Sequence, residues 1–336
     1  MFESGRYLDS RASRITSRQR TVVLGAMVVH RSSDPMKTSQ TICRSVIVSI
    51  TLVVILTPCC DPVNAGTPGS NRKPISTHVM FRHFRIYNDF SFHREPDLLK
   101  SHGIQPIRRW SENAFWHKGE SRDEPIESHV RNVARRSDPR IPVCLNIEHW
   151  PVDRDTKTTN ESVRKLVQMI RWMKDTKPSL KIGFYRLAPV RKYSQALQGP
   201  ESDSYQKWKA QCVRMKELAR HVDIIFPSLY TFYPDQKGWE TYAKENINMA
   251  RMYGKPVVPY LWYRYHVHAK DPQDLKRKIA GKYIGNEYWM RQLKFCHKHA
   301  DSVVIFDNSK SVWQDNMRWW RVTTHVFKLG APIRRP

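Results

Sequence analysis

The chain has 336 residues, enough for one large domain or two small ones, and 40% of them are hydrophobic and 11% aromatic. Lys and Arg number 57 against 31 Asp and Glu, and residues 66–336 keep 49 against 27, so the positive excess belongs to the folded part. Such a field attracts polyanions unless it only reflects a basic proteome, but no run of Lys and Arg stands out, which argues against a nucleic-acid patch.

At the front, Val46 to Leu56 is an 11-residue uncharged stretch, preceded by Lys37 and Arg44 and followed by Val63-Asn64-Ala65. That is too short to span a bilayer and has the dimensions of a signal-peptide core, so residues 1–65 read as an N-terminal extension with an export signal. The expected location is secreted or periplasmic, with no stable membrane span after cleavage; uncleaved, the segment would act as an anchor. Residues 66–74, rich in Gly, Ser, Pro and Asn, read as a linker, and 75–330 as the folded domain.

Beyond the linker, short apolar runs alternate with helical patterns, the mark of βα units and a parallel sheet. The expected strands are 79–86, 104–107, 143–148, 181–185, 223–230, 256–263 and 302–307. Between them, Val163, Leu166, Val167, Ile170 and Met173 recur at helical steps within 160–174, as do Trp208, Cys212, Met215 and Leu218 within 205–221. Helices are also expected over 239–253, ending at Gly254, and over 287–300. No Gly-rich nucleotide turn follows the first strand, so the fold class is α/β, a parallel (β/α) TIM-like barrel of seven or eight strands rather than an open doubly wound sheet.

Cys43, Cys59 and Cys60 lie in or beside the N-terminal stretch, whereas Cys144, Cys212 and Cys296 are far apart with no CxxC pairing. This argues against a disulfide framework and against a cysteine zinc site, and for buried free thiols. His149, His266 and His268 form no compact ligand set with a carboxylate, so no metal is expected. A Gly-x-Ser-x-Gly elbow is absent, which disfavours a serine hydrolase.

The informative segment is Val143-Cys144-Leu145-Asn146-Ile147-Glu148-His149-Trp150-Pro151. Strand alternation puts Cys144, Asn146 and Glu148 on one face and Leu145 and Ile147 on the other, aiming Asn146 and Glu148 into the barrel mouth. A carboxyl there is expected to be partly desolvated, the state that suits a proton donor to a leaving glycosidic oxygen. The other reading is a surface Glu, or a structural partner of an Arg. Trp150 flanks Glu148 at this strand end, and Tyr185, Tyr230, Tyr260 and Trp262 fall at other strand ends, where amphipathic rings suit sugars; many such rings are ordinary core. Arg186 and Arg264 would bind a substrate carboxylate or pair with a nearby acid.

Asn146-Ile147-Glu148-His149-Trp150-Pro151 resembles the Asp-x-Glu-x-Trp segment of the hyaluronidases, and Pro227-Ser228-Leu229-Tyr230 resembles their Pro-Ser-x-Tyr strand. Lys255 to Tyr260 and Val303 to Phe306 resemble their last two strands, so the similarity spans roughly residues 140–310. The resemblance implies a glycoside hydrolase on a distorted seven-stranded barrel, needing no cofactor and acting on an N-acetylhexosamine-containing polysaccharide. The positive charge would suit an acidic one. It further implies Glu148 as proton donor, with residue 146 and Tyr230 against the acetamido group, whose carbonyl oxygen attacks internally.

Several features depart from the family. Residues 75–140 match poorly, the paired cysteines of animal members are missing, and the Asp position is Asn146. Asn can hydrogen-bond an acetamide but brings no charge to a cationic intermediate, a loss commonly costing about 10²-fold or more. Asp307, next to Phe306 in the place of the family's closing Trp, is the candidate to supply that charge. Otherwise the protein binds sugar without cleaving it, or uses its field to bind an anionic partner.

Overall fold

The structure, a computed structural model, describes residues 83–266 and 272–329. The export signal, the linker and the expected domain start therefore lie outside the described residues. Strands β1 (Arg85–Asp89), β2 (Gln105–Pro106), β3 (Arg108–Ser111), β4 (Val143–Asn146), β5 (Ile182–Phe184), β6 (Tyr260–Leu261) and β7 (Ser302–Phe306) are all parallel where they pair. The helices are α1 (Leu98–His102), α2 (Glu127–Arg136), α3 (Thr156–Thr176), α4 (Tyr193–Leu197), α5 (Asp203–Arg214), α6 (Lys216–His221), α7 (Gln236–Arg251), α8 (Gln273–Ile279), α9 (Asn286–His299) and α10 (Arg318–Phe327).

Pairing runs in a ring. β1 pairs with β2, which continues past Ile107 into β3; β3 pairs with β4, and β4 with β5. Bridges Tyr185↔Phe226 and Ser228↔Tyr260 carry the order through an irregular stave to β6, and β6 pairs with β7, which returns to β1. Counting β2 and β3 as one interrupted stave gives seven, within the seven or eight expected.

The irregular stave replaces the continuous strand expected over 223–230. Pro227 has no N–H for the ladder, and Pro259 breaks the facing run in the same way, so pairing here falls to single bridges. Their carbonyls still accept, Pro227 O from Tyr260 N at 2.8 Å and Pro259 O from Val304 N at 2.9 Å. β4 ends at Asn146, two residues before the expected Glu148, because the next free amides bond a side chain instead of a strand, as described below. The strand over 108–111 was not expected.

The helices follow their apolar faces. α3 opens at Asp155, whose side chain accepts from Thr158 N, and buries Val163, Leu166, Val167, Ile170 and Met173. The helix expected over 205–221 is two, α5 and α6, parted at Met215. Helices α1, α2, α4, α8 and α10 had no counterpart in the expected set. Cys144, Cys212 and Cys296 are free and buried, as expected; burial pushes the Cys212 thiol up to about 12. No helix among the described residues is long and apolar enough to cross a membrane.

Candidate active site

At the carboxyl ends of the strands a cavity of about 300 Å³ is lined by Arg109, Asn146, Glu148, Tyr185, Arg191, Tyr230, Tyr260, Trp262, His266, Phe306 and Asn308. A larger groove of about 660 Å³ lies on the outer shell between α7 and α9, away from every strand end. The strand-end cup is where a parallel barrel concentrates its chemistry.

Six of the eight residues singled out from the sequence meet in this cup. Tyr185, Tyr230 and Tyr260 form its buried wall, with ring centroids 5.8 Å (Tyr185–Tyr230) and 5.1 Å (Tyr185–Tyr260) apart. Tyr230 also stacks on Phe306 at 5.7 Å and meets Trp262 at 5.7 Å. The Tyr185 hydroxyl is 3.0 Å from Ser228 Oγ, which also accepts from Arg191 at 3.4 Å. Burial raises the Tyr185 phenol, although Arg191 opposes the shift, and raises that of Tyr230 further. These phenols are therefore neutral hydrogen-bonding groups at ordinary pH.

Asn146 closes β4 beside Ser111, and its Oδ1 is buried without a hydrogen-bond partner among the described residues. A buried carbonyl oxygen left open toward a cavity is an acceptor waiting for a donor. Glu148 stands at the rim. Its side chain is 43% exposed and its Oε2 lies 2.8 Å from Arg186 Nη2, so the desolvated carboxyl expected from strand position is instead an open, ion-paired one. Arg186 holds this position with φ of 56°, in the left-handed region that a non-glycine residue occupies only at a cost of about 1–3 kcal/mol. Its backbone N–H, donating to Phe226 O at 2.9 Å, helps fix the turn.

Two of the eight stand elsewhere. Trp150 is buried against Trp116, with ring centroids 5.2 Å apart, and donates from Nε1 to Arg122 O at 2.8 Å. Asp307 is fully buried behind Phe306, accepting from Ser309 N at 3.2 Å and Trp262 Nε1 at 3.4 Å, with Arg264 Nε at 3.8 Å. It orients Trp262 and the following turn rather than supplying a carboxylate to the cup. Of the three histidines, His149 packs against Trp116, His266 lies against Tyr230 in the cup, and His268 is outside the described residues.

The sequence reading missed two acids. Asp89, at the end of β1, is buried and accepts from Arg109 Nε at 2.6 Å; burial pushes its carboxyl up while Arg109 pulls it down. The pair holds Arg109 in the cup wall, its guanidinium over the Phe306 ring at 5.2 Å. Glu112 follows β3, and its Oε1 accepts from the backbone N–H groups of Glu148 at 2.7 Å and His149 at 3.0 Å. Oε2 takes Arg122 at 2.6 Å, and His149 Nδ1 lies 3.1 Å from Oε1. Burial alone would raise Glu112, but the two amides and His149 hold its carboxyl below the usual range. Arg122 O in turn accepts from the side chains of His149 and Trp150, so residues 112–124 clasp the end of β4. No motif flagged either acid; each is visible only once its strand end is placed.

No family model matches the chain, and no curated protein sequence matches it. Among solved structures it is similar to bee venom hyaluronidase, with a TM-score of 0.48 and 13% identity over 73% of this chain and 96% of that one. A second structure of bee venom hyaluronidase, in complex with a hyaluronic acid tetramer, gives a TM-score of 0.48 and 14% identity over 73% and 95%. The endo-beta-1,4-mannanase of Thermotoga petrophila gives a TM-score of 0.39 and 13% identity over 75% and 78%.

Proposed function

We propose that this protein is an exported glycoside hydrolase acting on an N-acetylhexosamine-containing polysaccharide, with Glu148 as general acid/base. The observation that carries the reading is the cup itself. Tyr185, Tyr230, Tyr260 and Trp262 offer ring faces and polar edges, Asn146 an open amide and Glu148 a carboxylate, all at strand ends of one barrel. Asn146 Oδ1 would accept the acetamide N–H and the Tyr230 hydroxyl would steady its carbonyl, whose oxygen attacks the anomeric carbon. Glu148 protonates the leaving oxygen and then takes a proton from the incoming water. A sugar seated on the tyrosines would shut out the water that now reaches Glu148. Arg191 gives the cup a cation beside the Asp89-paired Arg109, which suits a polymer whose alternate sugars carry carboxylates.

The test is release of reducing ends from hyaluronan and chitin oligomers by the purified chain beside Glu148→Gln. Turnover should vanish in the variant while oligosaccharide binding survives; undiminished turnover would rule out Glu148 as the acid. A second reading, a barrel that binds sugar without cleaving it, is favoured by Asn146 in place of an acid and by the Glu148–Arg186 ion pair. Oligomer binding with no ends released by wild type would select it.

A further inference from the structure

The structure assigns a divalent-cation site of the zinc class to His117, Glu120 and His129, separate from the cup and independent of what the cup does. Each residue offers one ligand atom, and the three atoms lie within 4.8 Å of one another, the one such grouping of His, Cys, Asp and Glu among the described residues. His117 and Glu120 come from one tight turn. Glu120 N donates to His117 O at 3.2 Å, and Gly119 takes φ of 92° to close it, a conformation other residues rarely adopt. His129 comes from the first turn of α2. The imidazoles of His117 and His129 have ring centroids 4.4 Å apart, and Glu120 Oε2 accepts from His117 N at 2.5 Å and lies 3.6 Å from His129 Nδ1, so the carboxylate would turn from these to share an ion with the imidazole lone pairs.

The donor chemistry fits. His129 Nδ1 is 2.9 Å from the carbonyl of Phe115, which can only accept, so Nδ1 carries the hydrogen and Nε2 keeps its lone pair. Metal-bound histidines commonly donate their other ring N–H to a backbone carbonyl in this way. Two imidazoles and one carboxylate are a three-protein-ligand zinc set, with the fourth position left to water. His117 is exposed and the other two are half-buried, so an ion has a way in. Ligand atoms around tetrahedral zinc stand about 3.3 Å apart, from bond lengths of about 2.0–2.2 Å.

The placement gives the ion a role. His117 and Glu120 belong to the 112–124 segment that clasps β4, while His129 belongs to the shell helix. Zinc would pin the clasp to α2 and so steady the backbone that presents Glu148.

The experiment is calorimetric titration of zinc chloride into metal-stripped chain whose accessible thiols have been alkylated. Wild type should show a saturable one-to-one component that His117→Ala, Glu120→Gln and His129→Ala each weaken by at least about tenfold, the low end for outer-shell losses. His325→Ala, a change at an exposed histidine on α10, should keep it. Zinc should also raise the Tm of wild type and of His325→Ala, but not of the three site variants. No such component in wild type, or one of equal strength in all variants, overturns the assignment. Glu120→Gln keeps size and shape, so it decides the matter even if an alanine variant misfolds.

Discussion

Removing the Glu112 carboxylate by Glu112→Ala tests whether the residue behind the rim, rather than the strand itself, positions Glu148. In the native state this side chain is only 20% exposed and receives two backbone N–H groups, at 2.7 and 3.0 Å, as well as Arg122 at 2.6 Å. Hydrogen bonds to a charged acceptor contribute about 1.5–3 kcal/mol each, and the exposed Arg122 pair about 1 kcal/mol or less. Water can reach the amide of Glu148, so roughly half of the first contribution is recovered, leaving a loss of about 2–5 kcal/mol. At about 2–4 °C per kcal/mol for a domain of this size, Tm should fall by about 4–20 °C in thermal unfolding followed by circular dichroism. Under the proposed function, kcat should fall more than KM rises, because a displaced acid harms the transition state more than binding. Glu112→Gln keeps one acceptor oxygen and should lose about half as much. If Glu112→Ala melts within 1 °C of wild type and retains its kcat, the clasp does not hold the rim.

Three further outcomes follow from the same geometry. A Cβ on Gly183 would overlap Ile224 O and the Phe226 ring, so Gly183→Ala should cost about 3 kcal/mol, the upper end for overpacking, read as a lower urea midpoint. Asn146→Asp should raise reducing-end release about 10²-fold if a cationic intermediate forms in the cup; no gain would count against substrate assistance. Glu112 is held below its ordinary value of 4.5 in the fold. Its contribution is therefore present above that pH and lost as pH falls through the folded value, so Tm against pH should drop less steeply below about pH 4.5 in Glu112→Gln than in wild type.

The barrel class was legible because burial on both faces writes near-continuous apolar runs into parallel strands, as in Ser302-Val303-Val304-Ile305-Phe306. Asn146 and Glu148 were legible because alternation with a period of two fixes which way residues at one strand end point. Tyr230 and Tyr260 came from the same logic, carried across staves that the prolines leave nearly unladdered. Trp150 and Asp307 were placed in the cup wrongly, because β4 stops four residues before Trp150, where alternation no longer governs direction, and Asp307 stands one step past Phe306 and turns behind it. Glu112 decides where β4 stops, and it lies 36 residues from Glu148. His117, Glu120 and His129 escaped because their grouping depends on how a turn meets a helix, whereas attention to His149, His266 and His268 followed proximity in sequence to the strand ends.

The two prolines on facing staves also decide how the hoop of strands can give. Between β1 and β7 five consecutive residue pairs are in register, whereas the arc through Ile225, Phe226 and Ser228 is stitched at isolated points. Amide protons along that arc should exchange with deuterium sooner than those of β7. Tyr185 and Tyr230 hang from the looser arc, while Tyr260 lies on β6 in register with β7, and Phe306 and, through Asp89, Arg109 are fastened to β7 and β1. The cup thus has one side laddered pair by pair and one side held at single bridges, and the second carries two of its tyrosine rings.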